Sequence, residues 1–246
     1  MAEKSLRCIA MLLCLAAAPS AASAQDGDVP AARNFLKTIS EGVKSVVSEE
    51  SGALISAAAA VALLAMPFDE TLTFSASNST FLKASFDGWA RMAGQEWVLG
   101  GGALATFVIG RATDHPKVSA LGGDMMQAQL LAGATTFALK HAIRRARPDG
   151  EARSFPSGHA AGTFAAATVV QRHYGMKGAI PAFTAATLIS SARLQANSHY
   201  ATDIILGAAV GILSARAATF ELGHRRVSVS PAAPRGGGLL ISVSVQ

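Results

Sequence analysis

The 246-residue chain is short of cysteine, of aromatic residues and of charge, and each shortage excludes something. Its two cysteines, Cys8 and Cys14, both lie in the first apolar run. Neither disulfides nor thiolate metal sites can therefore hold the rest together. His115, His141, His173 and His224 show no ligand spacing with carboxylates, so no metal is expected. The net charge of +5 and the few aromatics provide no basic stripe with interleaved rings, which excludes a nucleic-acid partner. Internal repeats and low-complexity tracts are missing too. What is abundant is apolar residue, half of the chain, and that composition excludes disorder.

The start has the pattern of an export signal over residues 1–24. Lys4 and Arg7 precede the short apolar run CIAMLLCLAAA, and Ala22-Ser23-Ala24 offers small residues for cleavage. An exported chain is expected, in the periplasm or on the periplasmic face of the inner membrane. Residues 25–50 are polar and mixed and read as an N-terminal arm. Then come apolar, Ala-rich segments: 52–68, 97–110, 118–143, 159–170, 178–194 and 199–220, with a shorter amphipathic helix around 81–92. Residues 51–222 are thus expected to form an all-α helical bundle of about six core helices. In the tail, 223–246, RVSVS and LLISVSV flank PAAPRGGG and suggest a short C-terminal β-hairpin. Most runs fall short of the roughly twenty apolar residues of a membrane span, and several carry Asp124, Gln127, Gln129 or Arg216. The sequence therefore tilts towards a soluble or peripheral periplasmic chain, with membrane association as the alternative.

Three short pieces carry chemistry. In KHAIRRARP, Lys140, Arg144 and Arg147 would share one face if the helix runs on to Pro148, and such a row of cations calls for an anion. In SFPSGHAAG, Ser157 and Gly158 open a helix whose unpaired N–H groups and dipole favour an anion, and His159 lies in its first turn. Ser157 also suits a plain N-cap. In ARLQANSHYATD, Ser198 can cap a further helix. His199 and Asp203, one turn apart, can pair so that the carboxylate fixes the imidazole tautomer and leaves the other nitrogen free. Arg193 adds a cation just upstream.

K-x6-R-P, then P-S-G-H, then R-x5-H-x3-D together resemble the three-part signature of the type 2 phosphatidic acid phosphatase (PAP2) family. That family includes bacterial acid phosphatases, lipid phosphate phosphatases and vanadium haloperoxidases. The resemblance implies His199 as nucleophile, Asp203 as its orienting carboxylate and His159 as general acid. It implies Lys140, Arg147, Arg193, Ser157 and Gly158 as the phosphate-binding set, with Arg144 as an accessory candidate. No cofactor is implied, and vanadate would act as a phosphate-mimicking inhibitor. Ala192 stands where the family usually has Ser directly before the arginine. The implied activity is metal-free hydrolysis of phosphate monoesters, of small soluble esters or of phospholipids and lipid pyrophosphates, through a phosphohistidine. The alternatives are a vanadate-dependent haloperoxidase and a non-catalytic phosphate-binding membrane protein.

Overall fold

A computed structural model of the chain describes residues 49–79, 84–219, 221–222, 225–232 and 240–245. The leader and all but the last two residues of the arm lie outside them. Helix α1 (Glu49–Ala65) continues through a 3-10 turn, Met66–Phe68, into α2 (Asp69–Ser77), and then come α3 (Ala84–Ala93) and α4 (Glu96–Ala112). The long helices are α5 (Pro116–Ile143), α6 (Gly158–Gln195, broken at Gly175 where φ is 62°) and α7 (Ala201–Ala218). Pro116 opens α5 where a missing N–H costs nothing. The break at Gly175 divides α6 much as the sequence divides 159–170 from 178–194. The all-α class holds. The hairpin does not gain the same support: backbone segments Arg225–Ala232 and Leu240–Val245 run antiparallel, but the turn between them, 233–239, lies outside the described residues.

The core is built mostly from alanine. Ala128 and Ala132 of α5, Ala161, Ala165 and Val169 of α6, and Ala215 and Ala218 of α7 form one buried cluster. Small side chains let the helix axes approach closely, as small-x3-small stripes do in membrane bundles. Gly211 marks the tightest point, because a Cβ there would lie 2.2 Å from the Ala161 carbonyl oxygen and 2.9 Å from the Ala165 nitrogen. Both neighbours are backbone and cannot swing aside. Gly211→Ala is therefore expected to lower stability by about 1–3 kcal/mol. Gly133→Ala, which meets nothing within 4 Å, should be neutral or slightly stabilising. Thermal unfolding of both variants in detergent checks the pair.

The exterior is apolar. Leu63 is 68% exposed, Leu64 75%, Phe74 70%, Trp97 70% and Ile180 65%, with Ile109 and Leu130 close behind. A surface of this kind far exceeds the isolated patches of water-soluble monomers. Two stretches, Ser51–Ser77 and Ala201–Ala218, are long and apolar enough to cross a bilayer. Two of the four polar residues that spoke against spans are turned inward: Asp124 pairs with His173 at 2.7 Å, and the Gln129 amide donates to the Gly162 carbonyl at 2.8 Å. These facts reverse the tilt towards a soluble chain, and the protein is membrane-associated.

Candidate active site

The site gathers at the C-terminal end of α5, both ends of the broken α6 and the N-terminal end of α7. Helix α5 stops at Ile143 because Arg144 takes a left-handed conformation (φ 53°). This corrects the expectation of Lys140, Arg144 and Arg147 on one helical face. Arg144 is exposed and donates from Nε to the His141 carbonyl at 3.0 Å. Arg147 lies on the following loop, where its Nη1 pairs with Glu151 at 2.8 Å. Lys140, on the last turn, donates from Nζ to the carbonyl of Arg153 at 2.9 Å and, more weakly, to that of Ser154 at 3.4 Å.

Ser157 is the N-cap of α6, its hydroxyl accepting from the Ala160 N–H at 3.4 Å. Its own N–H is taken by the Asp203 carbonyl at 3.0 Å. Of the two roles the sequence allows Ser157, capping is the one its bonds show. The first intrahelical bond of α6 is Ala161 N–H to the Ser157 carbonyl. The N–H groups of Gly158 and His159 thus stand ahead of it at the positive end of the dipole. The His159 ring turns towards α3 and donates from Nε2 to the Arg91 carbonyl at 3.1 Å. Gly94 makes room for that ring, since a Cβ there would stand 2.5 Å from Cδ2.

The third motif departs from its expected local geometry. Helix α7 begins at Ala201 and is capped at Tyr200, whose N–H donates to Asp203 Oδ2 at 3.0 Å. Ser198 does not cap it; its hydroxyl returns to the Ala196 carbonyl at 3.3 Å. His199 therefore precedes the helix, and its Nδ1 is 3.8 Å from Asp203 Oδ2, too far for a direct hydrogen bond. Ser154 fills the gap. Its buried hydroxyl donates to Asp203 Oδ2 in a short bond and lies 3.4 Å from His199 Nδ1. A hydroxyl has one proton, and here the carboxylate takes it, so the serine oxygen accepts from Nδ1–H. That assignment, made from the network, puts the imidazole proton on Nδ1 and leaves the Nε2 lone pair free. Burial pushes His199 below its ordinary pKa of 6.5; Asp203 opposes, and Lys140 and Arg147 add to the lowering.

Arg193 is 8% exposed, and its Nε and Nη1 have no partner; Arg147 Nε is likewise buried without one. Charge from Arg147 bears on Arg193, and charge from Arg193, His199 and Lys140 bears on His159. Lys140, Arg147, Arg193, His159 and His199 therefore share one electrostatic neighbourhood. Buried guanidinium donors without an acceptor are costly unless an anion completes them. Among the described residues no group of three or more His, Cys, Asp or Glu is arranged to hold a metal ion.

Sequence reasoning missed Arg145, Asp69 and Ser154. Arg145 Nη1 donates to Asp203 Oδ1 at 2.9 Å and to Thr202 Oγ1 at 2.7 Å, and its Nη2 donates to Asp69 Oδ2 at 2.8 Å. Its guanidinium also lies 4.1 Å from the centroid of the Tyr200 ring. Burial works against the charged form, but the hydrogen bonds and charges of Asp69 and Asp203 outweigh it and hold Arg145 more firmly protonated than usual.

Fold and site together define a class: a helical bundle with a cluster of cations and unpartnered guanidinium donors beside an oriented histidine. Within that class, residues 123–222 of the chain match the model of the PAP2 superfamily. Over 98 residues it is 40% identical to the lipid A 1-phosphatase of Porphyromonas gingivalis, a match covering 38% of this chain and 21% of that protein. Over 100 residues it is 30% identical to the lipid A 4'-phosphatase of Helicobacter pylori, covering 36% of this chain and 50% of the relative. The chain thus aligns with half or less of either relative's length. The crystal structure of Aquifex aeolicus LpxE shares the fold at a TM-score of 0.51 and 24% identity, over 59% of this chain and 90% of that one.

Proposed function

We propose that the protein is a lipid phosphate phosphatase that removes a phosphate monoester from a lipid headgroup at the periplasmic face of a membrane. The observation that carries the reading is the set of buried, unpartnered donors on Arg193 and Arg147, gathered around the His199–Ser154–Asp203 relay. Three cations and a helix N-terminus suit the charge spread over the oxygens of a phosphoryl group, and positioning plus charge stabilisation supply most of such a reaction. The apolar exterior supports a lipid substrate over a small soluble ester. So do the relatives, both of which are lipid A phosphatases.

In this mechanism His199 Nε2 attacks phosphorus in line, the P–N bond forms and the P–O bond to the lipid breaks. Asp203 compensates the positive charge on the phosphorylated ring through Ser154. His159 protonates the leaving alkoxide; with Nε2–H held by the Arg91 carbonyl, the proton given up is that on Nδ1 of the imidazolium. Burial, with Arg193 adding to it, lowers the pKa of this ring to about 4 in the unliganded site, so the mechanism requires the negative charge of the bound phosphoryl group to favour the protonated form. The neutral ring then takes a proton from water at the same nitrogen, the water attacks phosphorus, and the P–N bond breaks to release inorganic phosphate and free His199.

The test is phosphate release by detergent-purified protein, with chelator present, from a short-chain phosphatidate and a soluble aryl phosphate side by side. The expected result is lipid-preferring release that survives the chelator. Labelled substrate quenched in base should leave a base-stable, acid-labile phosphoenzyme. No release from either ester would sink the reading, and release without a trapped phosphoenzyme would sink its covalent step.

A further inference from the structure

Asp69 opens α2, 134 positions before Asp203 and outside the family match at residues 123–222. It is a buried carboxylate, 3% exposed, yet fully bonded. Oδ1 accepts the Thr202 N–H at 3.0 Å; Oδ2 accepts the Thr202 hydroxyl at 2.5 Å and Arg145 Nη2 at 2.8 Å. Asp69 therefore caps the N-terminus of α7 from another helix and shares one guanidinium with Asp203.

We propose that Asp69 is a positioning residue for the reaction: by holding one side of the Arg145 guanidinium it limits how much of that charge Asp203 feels. Asp203 thereby keeps its negative field for His199. The inference rests on the phosphatase reading above. Two acidic groups divide one cation, so each is only partly neutralised. If Asp69 loses its charge, Arg145 acts on Asp203 alone, and the imidazolium character that builds on His199 during attack has less to compensate it. The groups facing His199 are Lys140 at the end of α5, Arg147 on the loop, His159 on α6, and Ser154 and Asp203. Of these, only Asp203 is touched by Arg145. The effect of Asp69 is thus routed through that carboxylate, and the phosphate-binding cations are spared.

The experiment compares Asp69→Asn with the unaltered full chain in detergent, using short-chain phosphatidate for turnover and vanadate as the anion probe. An amide offers one acceptor oxygen where Asp69 uses two, so either Thr202 or Arg145 loses its partner. Turnover, kcat, is expected to fall about 10- to 100-fold, with KM and vanadate inhibition within about threefold of the unaltered chain. The acid limb of the pH profile should move to lower pH, because His199 loses support for its protonated form. A purely structural role would lower the folded fraction without moving the limb. An unchanged kcat and acid limb in folded Asp69→Asn would overturn the proposal. If that variant cannot be recovered folded, Arg145→Lys decides in its place: it keeps a charge but cannot bridge both carboxylates. The same kcat loss with retained vanadate inhibition supports the proposal, and unaltered behaviour overturns it. Failure of the phosphatase reading shows separately, as absence of turnover in the unaltered chain.

Discussion

His199→Ala is expected to reduce phosphate release about 10⁴-fold or more, since removing the nucleophile leaves only binding and charge stabilisation. Vanadate affinity should fall much less, because Lys140, Arg147, Arg193 and the head of α6 are untouched. The same residue predicts a pH dependence. Burial holds the His199 pKa below 6.5, so the ring is neutral and nucleophilic above its lowered pKa. Protonation, which removes the Nε2 lone pair, sets in only as pH falls through that value. The acid limb of kcat/KM, which reports the free enzyme, should therefore have its midpoint below 6.5. A midpoint above 6.5 would contradict a buried neutral imidazole. Residual turnover of His199→Ala near that of the unaltered chain would move the nucleophile elsewhere.

Much of the site is legible in the sequence because the three motifs fall at helix ends, where local chemistry dictates geometry. Ser157 before Gly158 and His159 signals a helix start, and the structure starts α6 there. The break within the cationic motif is not read from the sequence: the helix is expected to run on to Pro148, whereas it ends at Ile143 where Arg144 turns left-handed. The one hint is Arg147, since the residue before a proline is disfavoured in the α region. What periodicity cannot supply is the partner of a charge across the bundle. Arg145 looks like one more member of a basic cluster until Asp69 and Asp203 are seen on either side of it. Ser154 similarly precedes a conspicuous motif, and only the 3.8 Å separation of His199 and Asp203 explains its place. Membrane association was misjudged for a related reason. Hydropathy counts Asp124 and Gln129 against a span, whereas the fold pairs them inward and leaves the large apolar side chains outside.

Arg193→Ala should separate function from stability. Arg193 presents two buried guanidinium nitrogens, Nε and Nη1, with no protein acceptor, an arrangement that suits an anion. Removing a donor set of this kind from the path of developing charge costs about 10²–10³-fold in turnover, so kcat/KM for a short-chain phosphatidate is expected to fall by that order, with vanadate affinity falling in parallel. Arg193→Lys retains a compact charge but not the fork, and should recover part of the loss. Stability should move the other way. A buried guanidinium without an acceptor is a liability in the unliganded fold, so the alanine variant, measured without phosphate or vanadate, should melt no lower than the unaltered chain. Added vanadate should then raise the melting temperature of the unaltered chain and leave that of Arg193→Ala almost unmoved, because binding stabilises only the form that binds. If Arg193→Ala instead unfolds early and keeps its vanadate response, Arg193 is a structural cation and the anion is held by Lys140 and Arg147 alone.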